Sequence, residues 1–422
     1  MSEPVIFLVM AAVFVLLAMG FKLPIGVSLA LSALIGSLAG GEGLGIRHLV
    51  EGTFGYFDTI LIIASAMLFM KVLQATGILD TITALLLKTF YRRKLFLLIT
   101  AMFIIMFPGM ITGSSTAAVL SSGVLVAPVL MKLGLSRTKT GALIAMGGIL
   151  GMIAPPVNIL VMIMGAGVDM PYSGLTIPLL IIVVPLAVAI PLWLGYKDIT
   201  IISFDKMKDI LPESLHEQYG FRLYVPLLTV GVFMLLQGLP SRVIPDIGIP
   251  AIFFLGSIVG VFCGKPFRFL RVTQEALREG IPILCILVGV GMFIQIMTLT
   301  GARGWAVISF ISLPAVLLYL GIAVSMPLFG AVSSFGSASI LGVPFILALL
   351  GRNAIITASA LSAIAGLGDL MPPTALAGIF AAQVVGEDSY FRILRHCLVP
   401  ALFTLLAGTG ILILIPLLDK IF

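Results

Sequence analysis

Long apolar stretches follow one another along most of this chain, parted by short clusters of glycine, proline and charge. An apolar run of about 20 residues is long enough to cross the roughly 30 Å hydrocarbon layer of a bilayer as a helix. The pattern predicts a helical pair over 5–20 and 24–40, turning at Lys22, and a mixed interfacial stretch over 41–57. A long span follows over 58–88, bent near Gly77, and another helix covers 175–196. Between them lies a region of a different kind. Two apolar arms, Lys94–Met106 and Ala117–Met131, flank a tip of Pro108, Gly109, Thr112, Gly113, Ser114 and Ser115. Each arm is shorter than the roughly 20 residues a crossing needs. Both outer ends are basic, with Arg92, Arg93 and Lys94 before and Lys132, Arg137 and Lys139 after, which places them on one side. The region 94–132 therefore reads as a re-entrant hairpin whose tip stops inside the membrane.

The next segment, 140–168, is long enough to cross but is interrupted by Gly147-Gly148, Gly151 and Pro155-Pro156. Tandem proline removes backbone donors and bars a regular helix. Broken backbone persists at membrane depth only where protein buries it or a cavity lies beside it. The pattern then recurs. With a constant shift and no gap, Gly113 falls on Gly330, Gly134 on Gly351, Gly151 on Gly368, and Pro155-Pro156 on Pro372-Pro373. Upstream, Thr76-Gly77-Ile78 matches Thr300-Gly301-Ala302, and Val13-Phe14 matches Val232-Phe233. Interrupted segments at corresponding places in two halves mark a secondary transporter.

The fold class is thus an all-α polytopic membrane protein of two inverted repeats, each with a re-entrant helical hairpin and a broken transmembrane helix. The first repeat spans 1–196, with scaffold helices over 5–88. A linker over 197–222 collects Lys197, Asp198, Asp205, Lys206, Lys208, Asp209, Glu213, His216, Glu217 and Arg222, and reads as an amphipathic surface helix. The second repeat spans 223–422, with its hairpin over 305–351, its tip at Phe329–Gly336, a broken helix over 353–385 and a last helix over 397–416. A basic stretch, 265–278, precedes the span ending at Gly301.

Composition agrees: 60% of residues are hydrophobic, 10% are charged and the mean hydropathy is +1.24, outside the range of soluble domains. The net charge of +6 reflects loop asymmetry rather than a nucleic-acid partner. With the first hairpin opening to the cytoplasm, about 18 of the 24 Lys and Arg fall inside. The linker is then cytoplasmic and the amino terminus outside. Cys263, Cys285 and Cys397 are isolated and read as small hydrophobes.

Enzyme signatures are absent. His216-Glu217 would begin a zinc motif, but Gly220 stands where the second ligand is needed. What the hairpins do carry is neutral oxygen, from hydroxyls and unwound carbonyls, suited to a dehydrated cation, and exposed helix ends suited to an anion. Two ionisable residues inside apolar segments, Lys71 and Asp369, are functional by default. In one reading they pair. In another Asp369 binds a cation and Lys71 faces a scaffold partner or a separate chain, and in the plainest reading Lys71 is a snorkelling side chain.

The tip Gly113-Ser114-Ser115, the run ILGMIAPPV at 149–157 and LMPP at 370–373 resemble the large membrane (M) subunit of TRAP transporters, over nearly the whole chain. The resemblance implies a membrane permease subunit, not an enzyme, working with a separate small four-helix membrane subunit and an extracytoplasmic substrate-binding protein. It implies sodium-coupled import of an organic acid, a carboxylate, by an elevator motion in the inner membrane, with two or more Na⁺ and no organic cofactor. Carried over by position, Gly113, Ser114, Ser115, Gly151 and Pro155 form one sodium site. Gly330, Ser333, Ser334, Gly366, Gly368 and Thr374 form the other, to which Asp369 is added on the reading that it binds a cation. The carboxylate would meet neutral donors, Thr112, Ser115 and Asn158. The chain departs from the family pattern at Lys71, where members commonly carry Glu, and at Asp369, where they carry an apolar residue. The alternative is a stand-alone carboxylate carrier of the same architecture, and a remote one an intramembrane enzyme or lipid flippase.

Overall fold

The computed structural model describes residues 1–201, 210–237 and 247–418, and among these every regular element is helical. Eight of the described helices are long and apolar enough to cross a membrane, and they include both arms of the first hairpin, Lys94–Thr112 and Ser115–Lys132, which are longer than the sequence pattern suggested. Most of the linker's charged centre, from Asp205 to Asp209, lies outside the described residues. Its described flanks pack inward: the Thr200 amide donates to Leu133 O at 2.7 Å, and the Leu215 amide donates to the Thr81 hydroxyl at 3.0 Å.

In the first half, α1 (Glu3–Val15, continued by a π turn to Gly20), α2 (Ile25–Gly40), α3 (Ile46–Gly55) and α4 (Phe57–Ala75) precede α5 (Ile78–Phe90). The expected single span over 58–88 is thus two helices. Gly77 separates them because it sits at φ +78°, a left-handed conformation that carries no penalty only for glycine. The first hairpin is α6 (Lys94–Thr112), a tip, and a return arm of α7 (Ser115–Ala118), a π turn and α8 (Val124–Lys132). The interrupted helix is α9 (Arg137–Ile153) and α10 (Ile159–Ala166), and α11 (Thr176–Gly195) closes the half.

The second half repeats the order. It comprises α12 (Val225–Gln237), α13 (Ile249–Val261), α14 (Phe269–Leu299), α15 (Ala302–Ile311) and α16 (Ala315–Gly330). A return arm follows, made of α17 (Ser334–Ser337), a π turn and α18 (Val343–Ala348), then α19 (Ala354–Gly366), a 3₁₀ turn (Leu367–Leu370), α20 (Leu376–Val385) and α21 (Tyr390–Leu418). Two expectations are corrected here. The hairpin begins at Ala315 rather than at 305, because Pro314 starts a new helix and Ala302–Ile311 is the counterpart of α5. The basic stretch 265–278 is no separate interfacial segment either; from Phe269 it is the first part of α14, which runs unbroken through Pro282.

Two layers of packing result. Helix α14 lies against α2, α3 and α4, with α13 on α4. Glycines bring these helices to backbone contact: a Cβ on Gly289 would sit 2.3 Å from Gly26 O, and one on Gly291 2.1 Å from Gly52 O. Such small-residue crossings suit helices that associate without a hydrophobic driving force. The second layer gathers the hairpins around α9 and α19, with α20 and α21 against α9. Every residue of α9 from Thr140 to Ile153 is buried, so the interrupted helix is the axis of this layer rather than its surface.

Candidate functional site at the hairpin tips

Each tip is built by the same local chemistry. Helix α6 ends at Gly113, which takes φ +64° and returns its amide to Gly109 O at 2.7 Å. Ser114 then starts α7 by accepting from the Ala117 amide at 3.2 Å, a serine N-cap. At the second tip Ser333 accepts from the Gly336 amide at 3.1 Å. The repeat is not gapless here. Ser114 corresponds to Ser333 and Ser115 to Ser334, so Ala331 and Val332 are an insertion after Gly330. A shorter return arm restores the register by the next caps, Ser136 and Asn353.

Glycine lets each hairpin touch its interrupted helix. A Cβ on Gly151 would lie 2.4 Å from Met106 O, and one on Gly368 2.5 Å from the Gly330 Cα. At the breaks the backbone finds outside partners, as a nonpolar surrounding demands. Both proline pairs, Pro155-Pro156 and Pro372-Pro373, are joined by cis peptide bonds. After the first, the Val157 amide donates to Met110 O at 3.1 Å, which stitches the break to α6. The Tyr172 hydroxyl accepts from the Asn158 amide at 2.8 Å and donates to Pro156 O at 3.0 Å. In the second break Thr374 donates its hydroxyl to Ala331 O at 2.8 Å, and the Tyr390 hydroxyl donates to Leu370 O.

Between the tips stands Asp369, on the 3₁₀ turn of the second break, with 7% of its surface exposed. Ser334 donates to its Oδ1 at 2.7 Å and Ser115 donates to its Oδ2. One carboxylate therefore joins both hairpins. This overturns a pairing of Lys71 with Asp369. The Lys71 Nζ instead meets Glu279 Oε1 at 2.6 Å, because α14 packs along α4 and carries Glu279 opposite Lys71.

The residues expected at a substrate site separate. Thr112 donates to Pro108 O at 2.7 Å and lies at the edge of an open cavity. Ser115 turns to Asp369. Asn158 is fully buried: its Oδ1 accepts from the Val161 amide at 3.1 Å, and its Nδ2 donates to Ile153 O at 2.8 Å and Ser362 Oγ at 3.0 Å. Its Oδ1 caps the resumed helix α10 and its Nδ2 is satisfied within the protein, so the side chain does not line the cavity beside the first hairpin. Of the expected cation residues, Ser115, Ser334 and Asp369 converge, while Ser114 and Ser333 act as caps and Gly151, Gly330 and Gly368 as crossing points. Tyr172, Tyr390 and Glu279 escape sequence reasoning. Nothing in their local sequence marks them: the tyrosines bond across the breaks from neighbouring segments, and the Glu279 partner, Lys71, is distant in the chain.

A sequence profile of the family described as "Tripartite ATP-independent periplasmic transporter, DctM component" matches residues 9–418. The chain belongs to that family. It is accordingly the large permease component of a TRAP-type secondary transporter, a multi-pass membrane protein. Solved structures of two other transporters share the fold. One is MtrF of Neisseria gonorrhoeae, described as one of a class of antimetabolite efflux pumps, with a TM-score of 0.63 and 14% identity over 88% of this chain and 83% of that one. The other is the YdaH transporter of Alcanivorax borkumensis, of unusual topology, with a TM-score of 0.61 and 18% identity over 87% and 88%. No curated protein matches the sequence at a significant level. In this member of the family the two hairpin tips and the second break meet at one acidic group.

Proposed function

We propose that this chain is the permease of a sodium-coupled importer of an organic acid, and that the two hairpins with their interrupted helices move as one body against the α2–α3–α4–α14 layer. The observation that carries the reading is the convergence of Ser115, Ser334 and Asp369. A buried carboxylate without a cationic partner is costly at membrane depth. A sodium ion lodged among Asp369, the two hydroxyls and the unwound carbonyls of the second break would relieve that cost, since hard oxygen donors suit a hard cation. Because the donors come from both hairpins, the ion would hold the tips together, and loss of the ion would free them. The donor set fits the second expected site better than the first, because Ser334 and Asp369 belong to the second and only Ser115 to the first.

The excess of Lys and Arg at one side supports an amino terminus outside, a cytoplasmic linker and residence in the inner membrane. A small four-helix subunit and an extracytoplasmic binding protein complete the system by family. The test is uptake of labelled carboxylates into vesicles holding the chain, its small subunit and the binding protein, with an inward sodium gradient. Replacing sodium by choline should abolish uptake, and Asp369→Asn should remove the sodium dependence. Uptake indifferent to sodium would overturn the coupling; uptake that persists without the binding protein would favour a stand-alone carrier.

A further inference from the structure

A cavity of about 610 Å³ opens between the first hairpin and the opposite layer, where α4 and α14 meet. Its hairpin wall is formed by the tip and return arm, with the side chains of Ser114, Thr116 and Ser121. Its opposite wall presents Lys71, Gln74 and Glu279. The size suits a small organic ligand, for which pockets run from about 300 to 1,000 Å³. Lys71 is the one cation among the described residues that line it.

The Lys71–Glu279 pair is uneven. Lys71 shows 19% of its side chain to solvent and Glu279 57%. Only one Glu279 oxygen, Oε1, takes part, at 2.6 Å. The ammonium is therefore held in the wall while the carboxylate that neutralises it can swing outward. A lysine ammonium carries three donors and binds carboxylates as a point charge, so one carboxylate can take another's place without loss of charge balance. Asp80 also lines the cavity, but it lies in the field of Lys265 and Glu213 rather than of Lys71.

We propose that Lys71 is the carboxylate-binding residue of the permease, and that Glu279 occupies it in the substrate's absence and yields it by exchange. The proposal rests on the organic-acid reading above and deepens it, because it places the acid between Lys71 and the hydroxyls of the hairpin tip. Thr116 adjoins Ser115, the donor to Asp369, so a ligand seated there bears on the residue beside the ion site. The acid and the cation would then be sensed on neighbouring residues of one short helix.

The roles predict opposite signs for the two partners, which a merely structural ion pair does not. The full-length chain, purified in lipid nanodiscs, is titrated with acetate, lactate, succinate and citrate, and with chloride and sulfate as controls, while its melting temperature is followed. The wild type should be stabilised by at least one carboxylate and not by the controls. Lys71→Gln should weaken the apparent affinity for that acid about tenfold, Lys71→Arg should retain most of it, and Glu279→Gln should tighten it by removing the competitor. Sodium-dependent stabilisation should be alike in all four proteins. A wild type stabilised by an acid that Glu279→Gln and Lys71→Arg both bind more weakly, or that neither variant alters, overturns the exchange and leaves the organic-acid reading standing. A wild type that responds to no carboxylate, or equally to chloride, overturns both. Should Lys71→Gln fail to fold, the Glu279→Gln and Lys71→Arg arms decide alone.

Discussion

Single residues at the tips carry more than one duty, and substitutions there should separate them. Gly113 needs both its left-handed backbone and its lack of a side chain, since a Cβ would lie 2.4 Å from Ile159 Cγ1. Gly113→Ala should therefore cost at least about 1–2 kcal/mol, read as a lower melting temperature. Ser115 and Ser334 pose a different question, because both reach Asp369 from opposite repeats. Their alanine variants should each reduce the apparent sodium affinity, and the double variant should lose less than the two separate losses added together. Additive losses would mean that the hydroxyls serve separate ions. The serines themselves were legible in the sequence, as small polar residues beside glycine in an apolar run. Their common target was not, since Ser115 lies 254 positions from Asp369. For the same reason Lys71 stood out as a charge within an apolar run while Glu279, 208 positions away, did not.

At the level of elements, what the sequence foretold best was interruption. Tandem proline, and glycine at matching places, announced two broken helices and two hairpins, because those breaks are enforced by the backbone within a few residues. Boundaries inside unbroken apolar sequence were harder. Nothing in the composition of 305–330 separates α15 from α16 except Ser312, Leu313 and Pro314, and α14 hides its start within a basic stretch. How the breaks are sealed was also hidden. Tyr172 supplies partners to both an amide and a carbonyl of the first break, from a turn that follows α10. Tyr172→Phe strands both groups and should destabilise the chain by about 1–3 kcal/mol, seen in thermal melts. Asn158→Ala removes a cap and should cost about 0.5–2 kcal/mol, again seen as a lower melting temperature and not as a change in affinity for the transported acid.

Across the whole molecule, the two layers are tied at the far end of α10. The Tyr56 hydroxyl donates to Ile163 O at 2.8 Å, and Arg303 donates to Gly167 O at 2.6 Å. Under the elevator reading these bonds hold the present arrangement, so Arg303→Ala should shift the population toward the other end of the stroke. A cysteine at Ser121, on the cavity wall, should then react more slowly with a membrane-impermeant maleimide. The second tip bears on the stroke in another way. In a machine of two like halves turned head to tail, each end position is nearly the other with the halves exchanged, and perfect likeness would leave the ends equal in energy. Ala331 and Val332, present in one tip and lacking in the other, break that equality. Such an imbalance cannot change the concentration ratio that the ion gradient finally sustains, because a catalyst alters no equilibrium. It can only make the journey quicker from one face than from the other. Deleting the two residues should bring inward and outward exchange rates closer together while the final accumulation stays the same, a comparison that counterflow measured in both directions would settle.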